Sequence, residues 1–414
     1  MDSKMSPASN DWGTAATIAV FVLTYAGVAL GRAPGLRIDR AGIALVGASL
    51  MIGLGSLSLS EALKAIDLDA ITLLLGMMII VSQLRVSGFF ELAAHFALRR
   101  AHSAPVLLAA IVIVTGFFSA FLVNDAICLV MAPLVIDVAG ALRRNPVPYL
   151  LAVAMASNAG SAATFTGNPQ NMIIGVASHL PYADFASKLA PAAAVALALT
   201  AGLIILVYHE EFSTAFGPSA KEPRPRRHSG QLAKGILVTL GVIASFFAGL
   251  PIAEAALIGG SLLLLSRAVD PHEFYAGIDG GLLLMFAGLF IVVAGAEKEL
   301  LTPNLTAAMA RLHLENAWIL SGVTAFLSNL VSNVPAVLIL KPFIAHLPDP
   351  GRAWRIVAMS STFAGNLTLI GSVANLIVAE RAKQAGITIS FLAYWRVGLP
   401  LTLASLGFGT WWLA

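Results

Sequence analysis

"TFTGNPQN" runs from Thr164 to Asn171 inside a long apolar stretch. Glycine, proline and three amide side chains are costly there, because backbone and amide groups in hydrocarbon need hydrogen-bond partners. The stretch reads as a break in a membrane helix, with its backbone groups turned to another use.

The membrane reading comes from the rest of the chain. Of 414 residues, 58% are hydrophobic and 11% charged, with 36 glycines, whereas a soluble domain carries about 25% charged residues. Residues 106–121, 192–208, 281–295 and 397–413 contain no charged side chain. With their flanks, such runs approach the roughly 17–25 residues that cross a bilayer core. The composition implies an all-α polytopic membrane protein. The start, "MDSKMSPASNDWGTAA", lacks the basic and short apolar regions of a cleaved signal, so 15–30 is expected to be a retained helix. The single cysteine, Cys128, excludes an internal disulfide and any cysteine-pair metal site. A pI near 9.1 with net charge +3 reflects basic loops that fix topology, not nucleic-acid binding.

One long polar stretch, 209–231, carries the prolines and charges of a linker. It divides the chain into a first repeat, 1–208, and a second, 232–414. "TLLLGMMII" (72–80) matches "GLLLMFAGL" (281–289) at an offset of 209 residues. "AFLVNDAICLVMAPLVI" (120–136) matches "NLVSNVPAVLILKPFIA" (329–345) at the same offset, pairing Asn124 with Asn333 and Pro133 with Pro342. After a deletion the offset becomes 204 residues, and "SNAGSAATFTGNPQN" (157–171) matches "STFAGNLTLIGSVAN" (361–375). Ser157 then pairs with Ser361, Thr164 with Thr368, Gly167 with Gly371 and Asn171 with Asn375.

Each half is therefore expected to hold a hairpin (103–141, 316–346) and a broken helix (149–178, 353–379). If the hairpins are re-entrant, the first half crosses five times, near 14–31, 41–58, 70–86, 149–178 and 187–208. An odd number of crossings inverts the second half. The loop with Arg32, Arg37 and Arg40, the ends with Arg99, Arg100, Arg143 and Arg144, the linker, and Arg381 with Lys383 then share one side. The positive-inside rule makes that side cytoplasmic and puts both termini outside; the cell inner membrane is the expected location. Paired interruptions at corresponding positions of two halves point to a transporter's binding site near the midplane.

A hairpin tip starts a half-helix, whose free N–H groups and positive dipole end suit an anion. Loop carbonyls beside it suit a cation. Asn124 and Asn333 serve either task, since an amide donates to an anion and its oxygen coordinates Na⁺. Gly167 and Gly371 let backbone approach a ligand, and Pro169 ends a hydrogen-bond ladder. Thr164, Asn168, Asn171, Ser332, Thr368 and Asn375 complete the candidate substrate and ion site. Asp125 is a carboxylate in the membrane interior, a functional candidate by default and able to carry a proton; it would also serve as an N-cap. Its equivalent is Val334. Cys128, one turn beyond, reads as core, and Lys341 as a side chain snorkelling to the outer surface. Glu254, Asp137 and Glu380 read as interfacial. "GFFELAAHFALRR" (88–100) reads as an interfacial amphipathic helix with a basic end. Enzyme signatures are lacking: "YHEEF" has no second histidine of a zinc protease helix, and no phosphate loop, dinucleotide fingerprint or nucleophile elbow is present.

At these motifs the sequence resembles the ion transporter superfamily, which includes arsenite permeases, divalent anion:sodium symporters, citrate transporters and sodium/proton antiporters. "FLVNDAICLVMAPLVI", "GFFELAAHFALRR" and "SNLVSNVPAVL" resemble arsenite permease segments, whereas "TFTGNPQN" and "AGNLTLIGSVAN" are closer to broader anion permeases. The dicarboxylate symporters carry Ser-Asn-Thr at both tips; here Val123-Asn124-Asp125 and Ser332-Asn333-Val334 stand there. The resemblance implies Na⁺ at Asn124 with Gly167 and at Asn333 with Gly371. It also implies a homodimer, a transport part sliding against a scaffold, no cofactor beyond coupling H⁺ or Na⁺, and an energising ATPase subunit if the chain is an arsenite permease. Arsenite or antimonite efflux by alternating access is the leading expectation. A coupled di- or tricarboxylate transporter, a sodium/proton antiporter and a channel stay open.

Overall fold

In a computed structural model, residues 11–31, 37–98, 102–213, 229–265, 272, 275–300 and 312–414 are described. Most of these are helical, with no strand among them. Eight of the described helices are long and apolar enough to cross a membrane.

One compact unit comprises 1–71 and 280–314. It holds α1 (Asp11–Leu30), α2 (Arg40–Gly53) and α3 (Leu59–Ala65), and, beyond the second unit in chain order, the helix Gly280–Leu300, here α14. α14 packs against α2, with Gly288 against the Ala44 backbone and Gly295 against Met51. Thr17 and Ser56 share a buried hydroxyl–hydroxyl bond of 2.7 Å. Ser58 and Glu61 form a capping box at the start of α3, and Lys298 pairs with Glu61 at 2.9 Å on the surface.

The second unit, 72–279 and 315–414, holds the candidate site. Its first half runs α4 (Leu68–Val86, entering from the unit boundary), α5 (Phe89–Leu98), α6 (Ala104–Phe121), α7 (Asn124–Ala141), α8 (Pro146–Ser161), α9 (Pro169–Ser178) and α10 (Tyr182–Val207). After α11 (His209–Ser213) come α12 (Ser229–Phe247) and α13 (Ile252–Leu264). The second half continues with α15 (Ala317–Val331), α16 (Asn333–Ile344), α17 (Pro350–Ala364), α18 (Val373–Gln384) and α19 (Phe391–Leu413).

α6 and α7 are joined by Leu122 and Val123, and α15 and α16 by Ser332 alone. Connections that short force antiparallel neighbours, so both stretches are helical hairpins. At 1.5 Å per residue the arms of the second are about 22 and 18 Å long, short of a bilayer core of about 30 Å. α8 is buried on every side from Pro148 to Ser161, as a helix that is apolar all round must be. It packs among α6, α7 and α10.

The linker differs from expectation at its start. Residues 209–213 form a helix that is held down, with Phe212 edge-on to Tyr149 at 5.8 Å and Arg144 donating to the Glu211 carbonyl at 2.9 Å. Residues 214–228, and the basic end of the amphipathic helix at Arg99 and Arg100, lie outside the described residues.

Candidate functional site

The first break is wholly buried from Ser161 to Asn171. α8 stops at Ser161, a short 3₁₀ turn covers Phe165–Gly167, and α9 restarts at Pro169. Asn168 caps α9 by accepting from the Asn171 N–H at 2.9 Å. Asn171 donates through Nδ2 to the carbonyls of Thr164 at 2.9 Å and Ser161 at 3.2 Å. The break is tied to the first hairpin, since the Thr164 hydroxyl donates to the Ala120 carbonyl.

The second break repeats this chemistry. Ser372 caps α18 by accepting from the Ala374 N–H at 3.2 Å. Asn375 donates to the carbonyls of Gly365 at 2.7 Å and Thr368 at 3.1 Å. Ser161, Thr164 and Asn171 correspond to Gly365, Thr368 and Asn375 at the single offset of 204 residues. The same amide therefore satisfies the same two freed carbonyls in each half. The glycines follow suit. A Cβ on Gly167 would lie 2.7 Å from the Ser161 carbonyl carbon, and one on Gly371 would lie 2.9 Å from the Gly365 oxygen. No side chain fits either place.

The two breaks also meet each other. Ser372 donates to Asn158 Oδ1 at 3.0 Å, and Asn168 donates to Thr362 Oγ1 at 3.2 Å. Asn158 corresponds to Thr362, and Asn168 to Ser372, at the same offset. The contact is thus reciprocal, as a two-fold relation requires. Asn158 further donates to Asn366 Oδ1 at 2.9 Å and Asn375 Oδ1 at 3.0 Å, and accepts from Asn124 Nδ2 at 3.2 Å. Among the described residues no lysine, arginine or histidine bonds to this network.

The tips differ from the breaks in being uncapped. Neither Val123 before α7 nor Ser332 before α16 makes a side-chain cap; the Ala126 N–H turns back to the Val123 carbonyl at 3.0 Å and Pro335 has no N–H, which leaves the first two N–H groups of each helix to face an anion. Ser332 has φ 80° and ψ 161°, a region comfortable only for glycine, and such strain concentrates at functional sites. Asn124 is 4% exposed, and its Oδ1 has no hydrogen-bond partner. Asn333 is half-buried, and its Oδ1 is also unpartnered; a Cβ on Gly365 would lie 3.4 Å from Asn333 Nδ2. Asp125 is half-buried in the first turn of α7 and forms no hydrogen bond or ion pair with the described residues.

Thr164, Gly167, Asn168 and Asn171 therefore come together in one break, and Thr368, Gly371 and Asn375 in the other. Asn124 reaches the second break through Asn158. Asp125 and the side chain of Ser332 stand outside the hydrogen-bonded network. Cys128 is fully buried and donates to Ser157 Oγ at 3.0 Å.

Two groups of residues were not singled out from the sequence. Asn158, Asn366 and Thr362 make the centre of the network. Ser119 and Ser328, at 0% and 1% exposure, have hydroxyls without partners. They correspond at the offset of 209 residues and stand five residues before the tip asparagines; extending the match one residue backward from Ala120 and Asn329 would have found them. Each hairpin thus presents a matched pair of open oxygens, Ser119 with Asn124 and Ser328 with Asn333. Acceptors of this kind suit a hard monovalent cation or the O–H groups of a substrate.

Two helical hairpins against two broken helices, on an apolar helical frame, define a membrane transporter. The chain matches the citrate transporter family, CitMHS, over residues 20–364, and it belongs to that family, within the ion transporter superfamily. It is similar to an uncharacterized transporter of Mycobacterium tuberculosis, with 33% identity over 94% of this chain and 95% of that one. It is similar to the silicon efflux transporter of Oryza sativa subsp. japonica, with 28% identity over 91% of this chain and 92% of that one. The crystal structure of the YdaH transporter of Alcanivorax borkumensis shares the fold at 14% identity, TM-score 0.60, over 97% of both chains. The protein is accordingly a multi-pass membrane transporter of the secondary class.

Proposed function

We propose that the chain exports a small oxyanion or its uncharged hydroxide, arsenite or antimonite foremost, by alternating access coupled to protons through Asp125 or to sodium at the hairpin tips. The observation that carries this is the pairing of two uncapped helix starts with the open oxygens of Ser119, Asn124, Ser328 and Asn333, in a network without fixed positive charge. A trivalent metalloid hydroxide offers O–H donors to such acceptors and small oxygens to the N–H groups. A di- or tricarboxylate would bring charge that nothing in the network neutralises, so it would need co-bound cations. The relative named for silicon efflux supports a metalloid passenger.

In this reading Asp125, unpaired and beside the first tip, loads a proton in one orientation and releases it in the other. The matched breaks and their reciprocal bonds support two inverted repeats, each of five crossings with a re-entrant hairpin. With it go a site at the midplane, both termini outside the inner membrane, and a homodimer, as parts of the same proposal. An ATPase subunit would be an added energiser and not part of the site.

A carboxylate transporter is the second reading, favoured by the family description. Uptake into everted vesicles separates the two. Arsenite, antimonite, citrate and succinate are each offered under an imposed proton or sodium gradient. Gradient-driven accumulation of the metalloids, with citrate and succinate excluded, is expected. Accumulation of citrate alone would overturn the assignment.

A further inference from the structure

Asn158 in α8 is 1% exposed, and its amide is fully used. Oδ1 accepts from Asn124 Nδ2 at 3.2 Å and Ser372 Oγ at 3.0 Å. Nδ2 donates to Asn366 Oδ1 at 2.9 Å and Asn375 Oδ1 at 3.0 Å. An amide has two donor hydrogens and an acceptor oxygen with two lone pairs, so nothing remains for a ligand. Asn158 does not bind the passenger. Its partners nevertheless lie in two different places, one on the first tip and three in the second break.

A continuous chain follows. It starts at the unpartnered Asn124 Oδ1 and leaves by Asn124 Nδ2 to Asn158. From there it passes to Asn375, and from Asn375 to the carbonyls of Gly365 at 2.7 Å and Thr368 at 3.1 Å. Those carbonyls frame Gly371 in the second break. Every link is an amide N–H donating to an oxygen. Charge drawn to the Asn124 oxygen makes its N–H a stronger donor, and each amide along a buried chain passes that polarisation on.

We propose that Asn158 is a positioning residue that couples the two halves of the site, so that occupancy at the Asn124 tip favours occupancy at the second break and the reverse. This rests on reading tips and breaks as ligand sites. Among the described residues this route has no counterpart in the other half. Thr362, the equivalent of Asn158, accepts from Asn168 at 3.2 Å and Gln170 at 3.3 Å and forms no hydrogen bond with Asn333. A ligand that orders one end has already met part of the ordering cost of the other, which is positive cooperativity without a large movement. Such coupling is reciprocal by thermodynamic necessity.

Two measurements on the full chain in nanodiscs and liposomes test this. In the first, thermal midpoints are read for Asn124→Ala, Asn375→Ala and the double variant, on the natural background and on Asn158→Thr, which installs the residue of the equivalent position. Non-additive shifts that become additive in Asn158→Thr are expected; Asn158→Ser serves if the threonine variant does not fold. Additive shifts on both backgrounds, or non-additivity that survives the substitution, would overturn the coupling. In the second, arsenite flux is followed against the concentration of the driving ion, proton or sodium. The Hill coefficient is expected to fall from about two, the number of subsites, to about one in Asn158→Thr, a change that mere loosening of the helix would not make. An unchanged coefficient would also overturn it. If neither gradient drives flux in the natural protein, the transport reading fails, and the melting cycle still decides for or against Asn158.

Discussion

Asp125 and the two break glycines carry the sharpest expectations for single residues. Asp125 has no hydrogen-bond or ion-pair partner among the described residues, and the charge of Asp279 acts on it, so Asp125→Asn removes the titrating group and that like-charge repulsion while keeping shape and polarity. Flux down a substrate gradient should persist while proton-driven flux is lost, as read by pairing pH jumps with arsenite counterflow. The glycines answer to geometry alone. Gly167→Ala drives a methyl onto the Ser161 backbone, which cannot yield, and should abolish the folded transporter. Gly371→Ala meets oxygens at 2.9 and 3.1 Å and should cost about 1–3 kcal/mol, the usual range for overpacking, measured as a loss of thermal stability in nanodiscs. These positions were legible in the sequence because glycine, proline and amides are anomalous against an apolar background. Asn158 and Ser119 were not. An asparagine or serine inside an otherwise regular helix reads the same whether its side chain is saturated or open, and that depends on distances between helices far apart in the chain.

At the scale of elements, an asparagine at the same position of each break, Asn171 and Asn375, donates to its freed carbonyls. Asn171→Ala leaves the Thr164 carbonyl without its side-chain donor, while the Ser161 carbonyl keeps Asn168 Nδ2 at 3.3 Å; Asn375→Ala removes the side-chain donor of both Gly365 and Thr368. A buried polar group without a partner costs about 1–3 kcal/mol, so each substitution should lower the melting midpoint. The short helix α3 sets a control for pH experiments. The Ser58 N–H first, and Lys298 second, hold the Glu61 carboxyl down at about 2. A depressed carboxylate contributes its stability above its ordinary value near 4.5 and loses it as pH falls through about 2. Glu61 is therefore ionised throughout pH 5–8, and Glu61→Gln should leave the pH profile of transport in that window unchanged.

For the whole molecule, hairpins and broken helices were foreseeable because their interruptions recur at two constant offsets. Which ends face which side of the bilayer follows from loop charge, not from the helices themselves. The lone Cys128 makes a direct check simple: Cys128→Ser gives a cysteine-free chain into which single cysteines are placed. Cysteines at position 3, in the 214–228 linker and at the carboxyl end should react with an impermeant maleimide from outside, from inside and from outside, respectively. Termini that label from opposite sides would contradict the inverted-repeat reading.

Everted vesicles bearing the natural protein or Asp125→Asn, supplied with arsenite and an imposed proton gradient, measure the account's central claim. Accumulation that collapses with the gradient in the natural protein and is lost in Asp125→Asn is the predicted result. Full gradient-driven accumulation in Asp125→Asn would contradict it.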